Sequence, residues 1–493
     1  MDPKSNAERW LVCINWRSPE WIFELLLIAD SKATQSGGVT FLDVSGFQVP
    51  NPPAYRRFWS DLSGKYVDLE TLITERGHRF LRQNWNGACL TSRLQLTSLV
   101  TESELEQALK SSIISVLRSS FETKSIWTRI LRSRVRKAGE LAANSLGALL
   151  ESEAFDLMYL ANGRLFDQYC LLKVAHSQGL KVLHYELSEA PGRFFLRPYA
   201  PQDRLRHQAE ILGLNEPHDD ELEMTVALAW LRLRSDPKTG FNRFANQEFS
   251  ESQTAKSPTV TFFNTSQDEM EFLGPDWHEA QWPSYLEAFS AIIKRCFAEG
   301  YACRIKVHPN LLNKSLRSFL KQVREIKNLS LDFPDLEVIW PTSPVSTYDL
   351  VATSEFVVVE NSTVGIEASL MNKPVITVQS SWYADVINVA KTFGQMELDT
   401  LKLSEVKADP KGAARLVYFQ YSRDPEAHYW GKDGFAATNS KRTLGGLLRT
   451  SYNLEFMVFC SYDWALKILA QSAYPMIFRY LRRVEKKTQI RGK

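Results

Sequence analysis

The feature that most constrains this chain is the alternation of short apolar runs with helical ones. Over 155–187, FDLMYLAN reads as a buried strand and Gly163 as a turn. RLFDQYCLLKVAHSQ then reads as a helix stopped by Gly179, and LKVLHYE as the next strand. The second half repeats the pattern. TVTFF from 259 is a strand ending in a polar turn, and WPSYLEAFSAIIKRCFAEG is a helix closed at Gly300. YACRIKVHP, LEVIWP (336–341), EFVVVE (355–360) and KPVITV (373–378) are further strands, with a helix LNKSLRSFLKQVREIK after the first of them. Near the start, WLVCINW and VTFLDVSG are strands around a helical WIFELLLIADSKATQ. Apolar strands joined by helices form parallel sheets covered on both faces. The expected class is α/β in two halves.

The chain has 493 residues, which suggests two to four domains of roughly 100–200 residues each. Residues 52–140 are mostly helical in pattern and poor in strand signals. Residues 236–258 lose aliphatics and gain Ser, Asn, Gln and Lys, which reads as an interdomain linker. The division expected is an N-terminal domain over 1–235 with a helical insertion at about 52–140, and a second domain over 259–455. Helices over 456–493, interrupted at Pro475, complete it. Lys plus Arg number 59 against 57 Asp plus Glu, so no overall field calls for nucleic acid. The N-terminus lacks a signal-peptide pattern, and no run reaches the ~20 apolar residues of a membrane span. The 6 cysteines are scattered without C-x-x-C or zinc spacing, which points to reduced, buried thiols and a cytoplasmic protein.

Absent motifs narrow the chemistry. G-x-G-x-x-G, the P-loop, G-x-S-x-G and H-E-x-x-H are all missing. There is also no D-x-D pair with which to hold a divalent metal on a diphosphate, so neither a metal nor a cofactor is expected. Three strand ends of the second half carry polar residues. Glu360 ends a strand, and Ser362 or Thr363 then caps a helix whose first turn holds Gly365. Such a turn suits a phosphate. Lys306 precedes His308-Pro309-Asn310, where the histidine can donate to phosphate or pair with it when protonated. Ser266 follows the strand at 259. In the first half, Asn162-Gly163-Arg164 lies between strand and helix, and Arg164 at a helix start opposes the dipole and so answers an anion. Glu186, just past a strand, is a general-base candidate, and Asp43, also at a strand end, is a weaker one. Each of these patterns is also what a capped helix or a solvated side chain would show.

Taken together, NGR, the following Glu186, F-x-x-S-x-D-E, HPN and ENSTVGIEA…KPVI resemble bacterial capsular polysaccharide biosynthesis proteins. These are sugar transferases of GT-B type, akin to the Kdo and polysialic acid transferases. The resemblance covers roughly 155–385. It implies two Rossmann-like domains with parallel sheets facing across a cleft, the nucleotide-sugar donor in the second. It implies phosphate contacts from His308, Ser362 and Thr363, with Lys306, Ser266, Glu360 and Glu367 near the donor. It implies an acceptor side bearing Asn162, Arg164 and Asp43, where a carboxylate such as Glu186 deprotonates the acceptor. The donor is expected to be nucleotide-activated, CMP-linked among the options, and the acceptor a surface polysaccharide or lipid-linked glycan. Glu360 and Glu367 do not meet the two-glutamate spacing of many retaining GT-B enzymes. Alternatives are a CDP-glycerol-type glycerophosphotransferase, a GT-B-like sugar-nucleotide epimerase, and a non-catalytic binder in an export assembly. Basic segments 124–139 and 478–493 suggest peripheral contact with an anionic inner-membrane surface.

Overall fold

A computed structural model describes residues 8–15, 25–26, 29–30, 38–44, 69–82, 96–117, 126–187, 194–213, 219–236, 258–273, 277 and 280–423. They fall into two compact units: the described residues up to 113 and from 126 to 203 form the first, and 204–423, with 114–117, the second.

The first unit runs β1 (Arg9–Ile14), β2 (Gly38–Asp43), α1 (Leu69–Glu75), β3 (Arg79–Arg82), α2 (Glu102–Leu117) and α3 (Ile126–Ser152). It continues with β4 (Leu157–Ala161), α4 (Phe166–Ser177), β5 (Lys181–Leu187) and β6 (Phe194–Arg197). The sheet order is β3-β2-β1-β4-β5-β6, parallel except for the antiparallel edge strand β6. Successive side chains of a strand point to opposite faces. Leu11 and Cys13 of β1 join Met158 and Leu160 of β4 in a core with α2, α3 and α4. Trp10, Val12 and Ile14 pack on the other face with Phe41, Tyr159, Leu25 and Leu26. Burial on both faces is why these strands read as continuous apolar runs.

The second unit begins with α5 (Arg204–Leu212) and α6 (Asp220–Ser235), then β7 (Thr259–Phe263), α7 (Gln267–Leu273), α8 (Tyr285–Ala298), β8 (Ala302–Lys306) and α9 (Leu316–Asp332). It goes on through β9 (Glu337–Ile339), α10 (Thr347–Ala352), β10 (Phe356–Val359), α11 (Val364–Leu370), β11 (Val375–Thr377), β12 (Ala390–Lys391), α12 (Gln395–Thr400) and α13 (Pro410–Arg423). The order β12-β11-β10-β7-β8-β9 is wholly parallel. Helices α8 and α9 cover one face through Phe289, Ile292, Phe319 and Ile326. Trp230 of α6, Ile366 of α11 and Phe419 of α13 cover the other. Both sheets thus have the doubly wound order of a Rossmann-like domain, with strand order reversing beside the first strand of each. The α/β, two-sheet reading holds.

Four readings of the sequence need correcting or bounding. The region expected to be helical over 52–140 contributes a strand, β3, which pairs with β2 from Thr40–Arg79 to Asp43–Arg82. Its RFLR is polar at both ends, so no apolar run marks it. Helices α5 and α6 precede the expected linker yet pack into the second core, as Ile211, Ala227 and Trp230 show. Glu186 lies within β5, opposite Phe195 of β6, rather than beyond the strand. The linker over 237–257 and everything after 423, including the C-terminal helices and the basic 478–493, lie outside the described residues.

The cysteines behave as expected where described: Cys13, Cys170, Cys296 and Cys303 are free and buried. In the basic stretch 124–139, Arg136 pairs with Glu102 of α2 at 2.9 Å, and Arg132 pairs with Glu106. Among the described residues no helix is long and apolar enough to cross a membrane.

Candidate functional site

In the second unit the polar loops after β7, β8 and β10 meet at the C-terminal edge of the sheet, where the strand order reverses between β7 and β10. Open α/β sheets bind ligands at this position. Each loop is tied to the next by a side chain that bonds backbone. Asn264 Oδ1 accepts from the His308 N–H at 2.9 Å, joining the first two loops. Glu360 accepts from the Thr265 N–H at 2.8 Å and from Gln267 Nε2 at 2.8 Å. Thr265 Oγ1 accepts from the Asn361 N–H at 3.1 Å. Burial raises the Glu360 carboxyl to about 7, against the pull of those two donors.

His308 has its Nδ1 occupied: it accepts from the Asn310 N–H at 3.1 Å. That bond assigns the ring proton to Nε2. Burial, and then the nearby Lys314 charge, pushes the imidazole down to about 4. At neutral pH the ring is therefore a neutral hydrogen-bond donor. Of the two roles expected for it, donation from Nε2 fits this geometry. Pro309 starts a short 3₁₀ turn, and Asn310 Nδ2 reaches Ser266 Oγ at 3.2 Å. Ser266 in turn donates to Asp268 at 2.8 Å. Lys306 is buried, with its ammonium donating to the Val345 carbonyl, and burial lowers it to about 8.

The start of α11 differs in detail from the expectation. Thr363 stands at the N-cap position without a side-chain cap, while Ser362 Oγ accepts from the Val364 N–H at 3.3 Å. Gly365 is required by packing. A Cβ there would come within 2.9 Å of Cζ of Tyr383, whose hydroxyl donates to the Ser362 carbonyl at 2.7 Å. Glu367 is buried and held by Arg234 of α6, with Nε to Oε1 at 2.7 Å. The same guanidinium reaches Thr363 Oγ1 at 3.4 Å and lies over the Trp230 ring at 4.9 Å. Arg234 was not legible as a site residue, because its partners are more than a hundred positions away and α6 read as part of the other half. Asn264 and Thr265 did carry a signal, as polar residues directly after a buried strand.

In the first unit Asn162, Arg164 and Glu186 come together. Asn162 takes a left-handed φ of 44° and Gly163 follows at 85°. A Cβ on Gly163 would meet the His184 ring at 2.6 Å, so only glycine fits beneath this turn. Asn162 Nδ2 donates to Glu186 Oε2 at 2.7 Å, and Gln202 donates to Asn162 Oδ1. Arg164 donates to Ser111 of α2 at 2.7 Å. Burial lifts Glu186 to about 7, while the Arg164 charge and the Asn162 bond oppose the rise. Part of the anion that Arg164 answers is thus this carboxylate. A carboxyl poised near neutrality has the chemistry of a general base. Asp43 ends β2 in register with Ile14 and Arg82. Among the described residues no three or more His, Cys, Asp or Glu side chains gather as a metal site would require.

Residues 278–394 match the family model described as capsule polysaccharide biosynthesis protein. No curated protein matches the chain. Among solved structures, the β-Kdo 2,4 transferase KpsC of Thermosulfurimonas dismutans is 15% identical, covers 54% of this chain and 79% of its own, and gives a TM-score of 0.36. The β-Kdo 2,7 transferase of the same KpsC is 12% identical over 55% and 78%, at 0.33. UDP-GlcNAc 2-epimerase of Methanocaldococcus jannaschii, in complex with UDP-GlcNAc and UDP, is 10% identical over 84% and 99%, at 0.31. The segment matched by the family model carries the HPN and ENSTVGIEA motifs, and over it this chain resembles the capsule polysaccharide biosynthesis proteins.

Proposed function

We propose that this chain is a glycosyltransferase, which transfers a sugar from a nucleotide-activated donor to a surface polysaccharide or lipid-linked glycan. The observation that carries the reading is His308. It lies in the family-matched segment, at the switch-point edge of a Rossmann-like sheet, and is fixed as a neutral Nε2–H donor. In this reading the donor phosphates meet His308 Nε2 together with the hydroxyls of Ser362 and Thr363. These groups stabilise the charge that develops on the leaving nucleotide. Arg234 positions Thr363 and Glu367. Lys306 and Ser266 act from behind, through the loops they brace. Glu186 takes the proton from the acceptor hydroxyl, with Asn162 and Arg164 orienting it. Neither the phosphate site nor the base requires a divalent ion, so turnover is expected to survive EDTA. A cytoplasmic location, with peripheral lipid contact through 124–139 and 478–493, belongs to the same proposal.

The test is nucleotide release from CMP-, CDP- and UDP-sugars in the presence of glycan acceptors. Glu186→Gln should lower turnover by about 10²–10⁴-fold and leave nucleotide affinity unchanged. Turnover that persists in Glu186→Gln would remove the base assignment. An isomerised sugar nucleotide formed without acceptor would replace the transferase with an epimerase.

A further inference from the structure

The His308-Pro309-Asn310 turn is held at its far end by a buried ion pair that no step of the proposed mechanism uses. Lys314 closes the 3₁₀ turn: its N–H donates to the Leu311 carbonyl at 3.3 Å, and the Leu311 N–H donates to the His308 carbonyl at 3.1 Å. The Lys314 ammonium donates to Asp268 Oδ1 on α7, and the two side chains are 4% and 1% exposed. A buried ion pair adds little to stability by itself, because taking two charges out of water offsets their attraction. What sets this pair apart is what it is bonded to. Asp268 Oδ1 also accepts from Ser266 Oγ at 2.8 Å, and Ser266 Oγ accepts from Asn310 Nδ2 at 3.2 Å. Asn310 Nδ2 donates as well to Glu269 Oε1 at 3.0 Å, and the Asn310 N–H donates to His308 Nδ1 at 3.1 Å. The bonds close a ring, from the lysine through Asp268, Ser266 and Asn310 to the imidazole, and back along the turn to the lysine. A polar network satisfied in this way specifies one arrangement of its members.

Charge acts at the same place. Burial is the main cause that keeps the imidazole neutral; the Lys314 charge adds to it, and Asp268 opposes it with the smaller effect. The other charged groups around the turn are engaged elsewhere. Glu269 accepts from Asn310, the Lys306 ammonium donates to the Val345 carbonyl, and Glu360 accepts from the Thr265 N–H and from Gln267.

We infer that Lys314 and Asp268 are a positioning pair for His308: they clamp the turn so that the Asn310 N–H stays on Nδ1 and the donor proton stays on Nε2. That this proton meets a nucleotide rests on the proposed function; the clamp itself does not.

The test is long-range nitrogen–proton correlation NMR on the full chain with isotope-labelled histidine, the His308 signals being those lost in His308→Ala. The parent should show one tautomer, protonated on Nε2. Lys314→Met/Asp268→Asn removes both charges and keeps an oxygen to which Ser266 can donate. The other tautomer should then gain about tenfold in population. Asn310→Ala keeps the backbone N–H but cuts the path from the pair, and should give the same result, which carries the test if the double variant does not fold. In calorimetry with whichever of CMP, CDP and UDP the parent binds, the double variant should lose about tenfold in affinity. On a His308→Ala background it should lose nothing further, since the pair acts through that ring. An unchanged single tautomer in the folded variants, or an affinity loss that adds in full to that of His308→Ala, would overturn the inference. A parent that binds no nucleotide would refute the donor site, while the tautomer measurement still decides the clamp.

Discussion

Replacing Gly365 by alanine reverses an ordinary expectation. In a helix interior alanine is more stable than glycine by about 0.5–1 kcal/mol. Here the new Cβ would lie within 2.9 Å of Tyr383 Cζ, and closer still to the hydroxyl. Tyr383 is fully buried and its hydroxyl is bonded to the Ser362 carbonyl at 2.7 Å. The ring must retreat into a packed core, which costs about 1–3 kcal/mol. Loss of a buried hydroxyl bond adds about 1–3 kcal/mol. Less the helix gain, Gly365→Ala should destabilise by about 1–5 kcal/mol. The assay is urea unfolding of the full chain, followed by tryptophan fluorescence, since Trp382 packs against Tyr383 at 5.9 Å. The midpoint should fall with m unchanged. Tyr383→Phe removes the closest atom and should rescue part of the loss in the double variant, giving a coupling of about 1 kcal/mol or more. The ring carbon stays close, so rescue is partial. An alanine variant as stable as the parent, or more stable, would refute the reasoning and with it the role of Tyr383 in holding the Ser362 turn.

Arg234→Leu should cost about 2–4 kcal/mol, because it leaves buried Glu367 without its ion-pair partner; Arg234→Leu/Glu367→Leu should be less destabilised than the single change in the same urea titration. Glu186 and Glu360 are raised from 4.5 to about 7 in the folded chain. Unfolding therefore releases their protons, and their share of the stability should fall as pH rises from about 4.5 to about 7, by at most about 3 kcal/mol per group, while His308 and His184, both lowered to about 4, act in the opposite sense; the pH 5 to 7.5 change in stability of the parent should therefore differ from that of Glu186→Gln and of Glu360→Gln, and no difference would contradict those burials. Because His308 is lowered to about 4, the contribution it makes to nucleotide affinity should stay flat between pH 5.5 and 7.5; calorimetry of parent and His308→Ala checks this, and a contribution that fades through pH 6.5 would mean a charged imidazole.

Much of the fold was legible because parallel strands buried on both faces leave unbroken apolar runs, as in FVVV of β10 and TVTFF of β7. Strands without that signature escaped: RFLR of β3 is exposed at its ends, and β12 is two residues long. The side on which a helix packs was hidden as well. Nothing in the α6 sequence tells which sheet Trp230 enters, so Arg234 could not be linked to Glu367. For the site, residue types at strand ends were informative, since Asn264, His308, Glu360 and Asn162 all sit at C-terminal strand edges. Their roles depended on bonds that spacing cannot give. The Asn310 N–H decides which nitrogen of His308 carries the proton, and Tyr383 decides why position 365 is glycine.

Nucleotide binding tests the central claim most directly. CMP, CDP, UDP and GDP should be titrated against the full chain by thermal shift, with and without EDTA, alongside His308→Ala and Ser362→Ala. A ligand that binds only the native state raises the melting temperature. The account predicts stabilisation by at least one of these nucleotides, indifferent to EDTA and diminished in both variants. No stabilisation by any of them at millimolar concentration, or stabilisation that both variants retain in full, would contradict it.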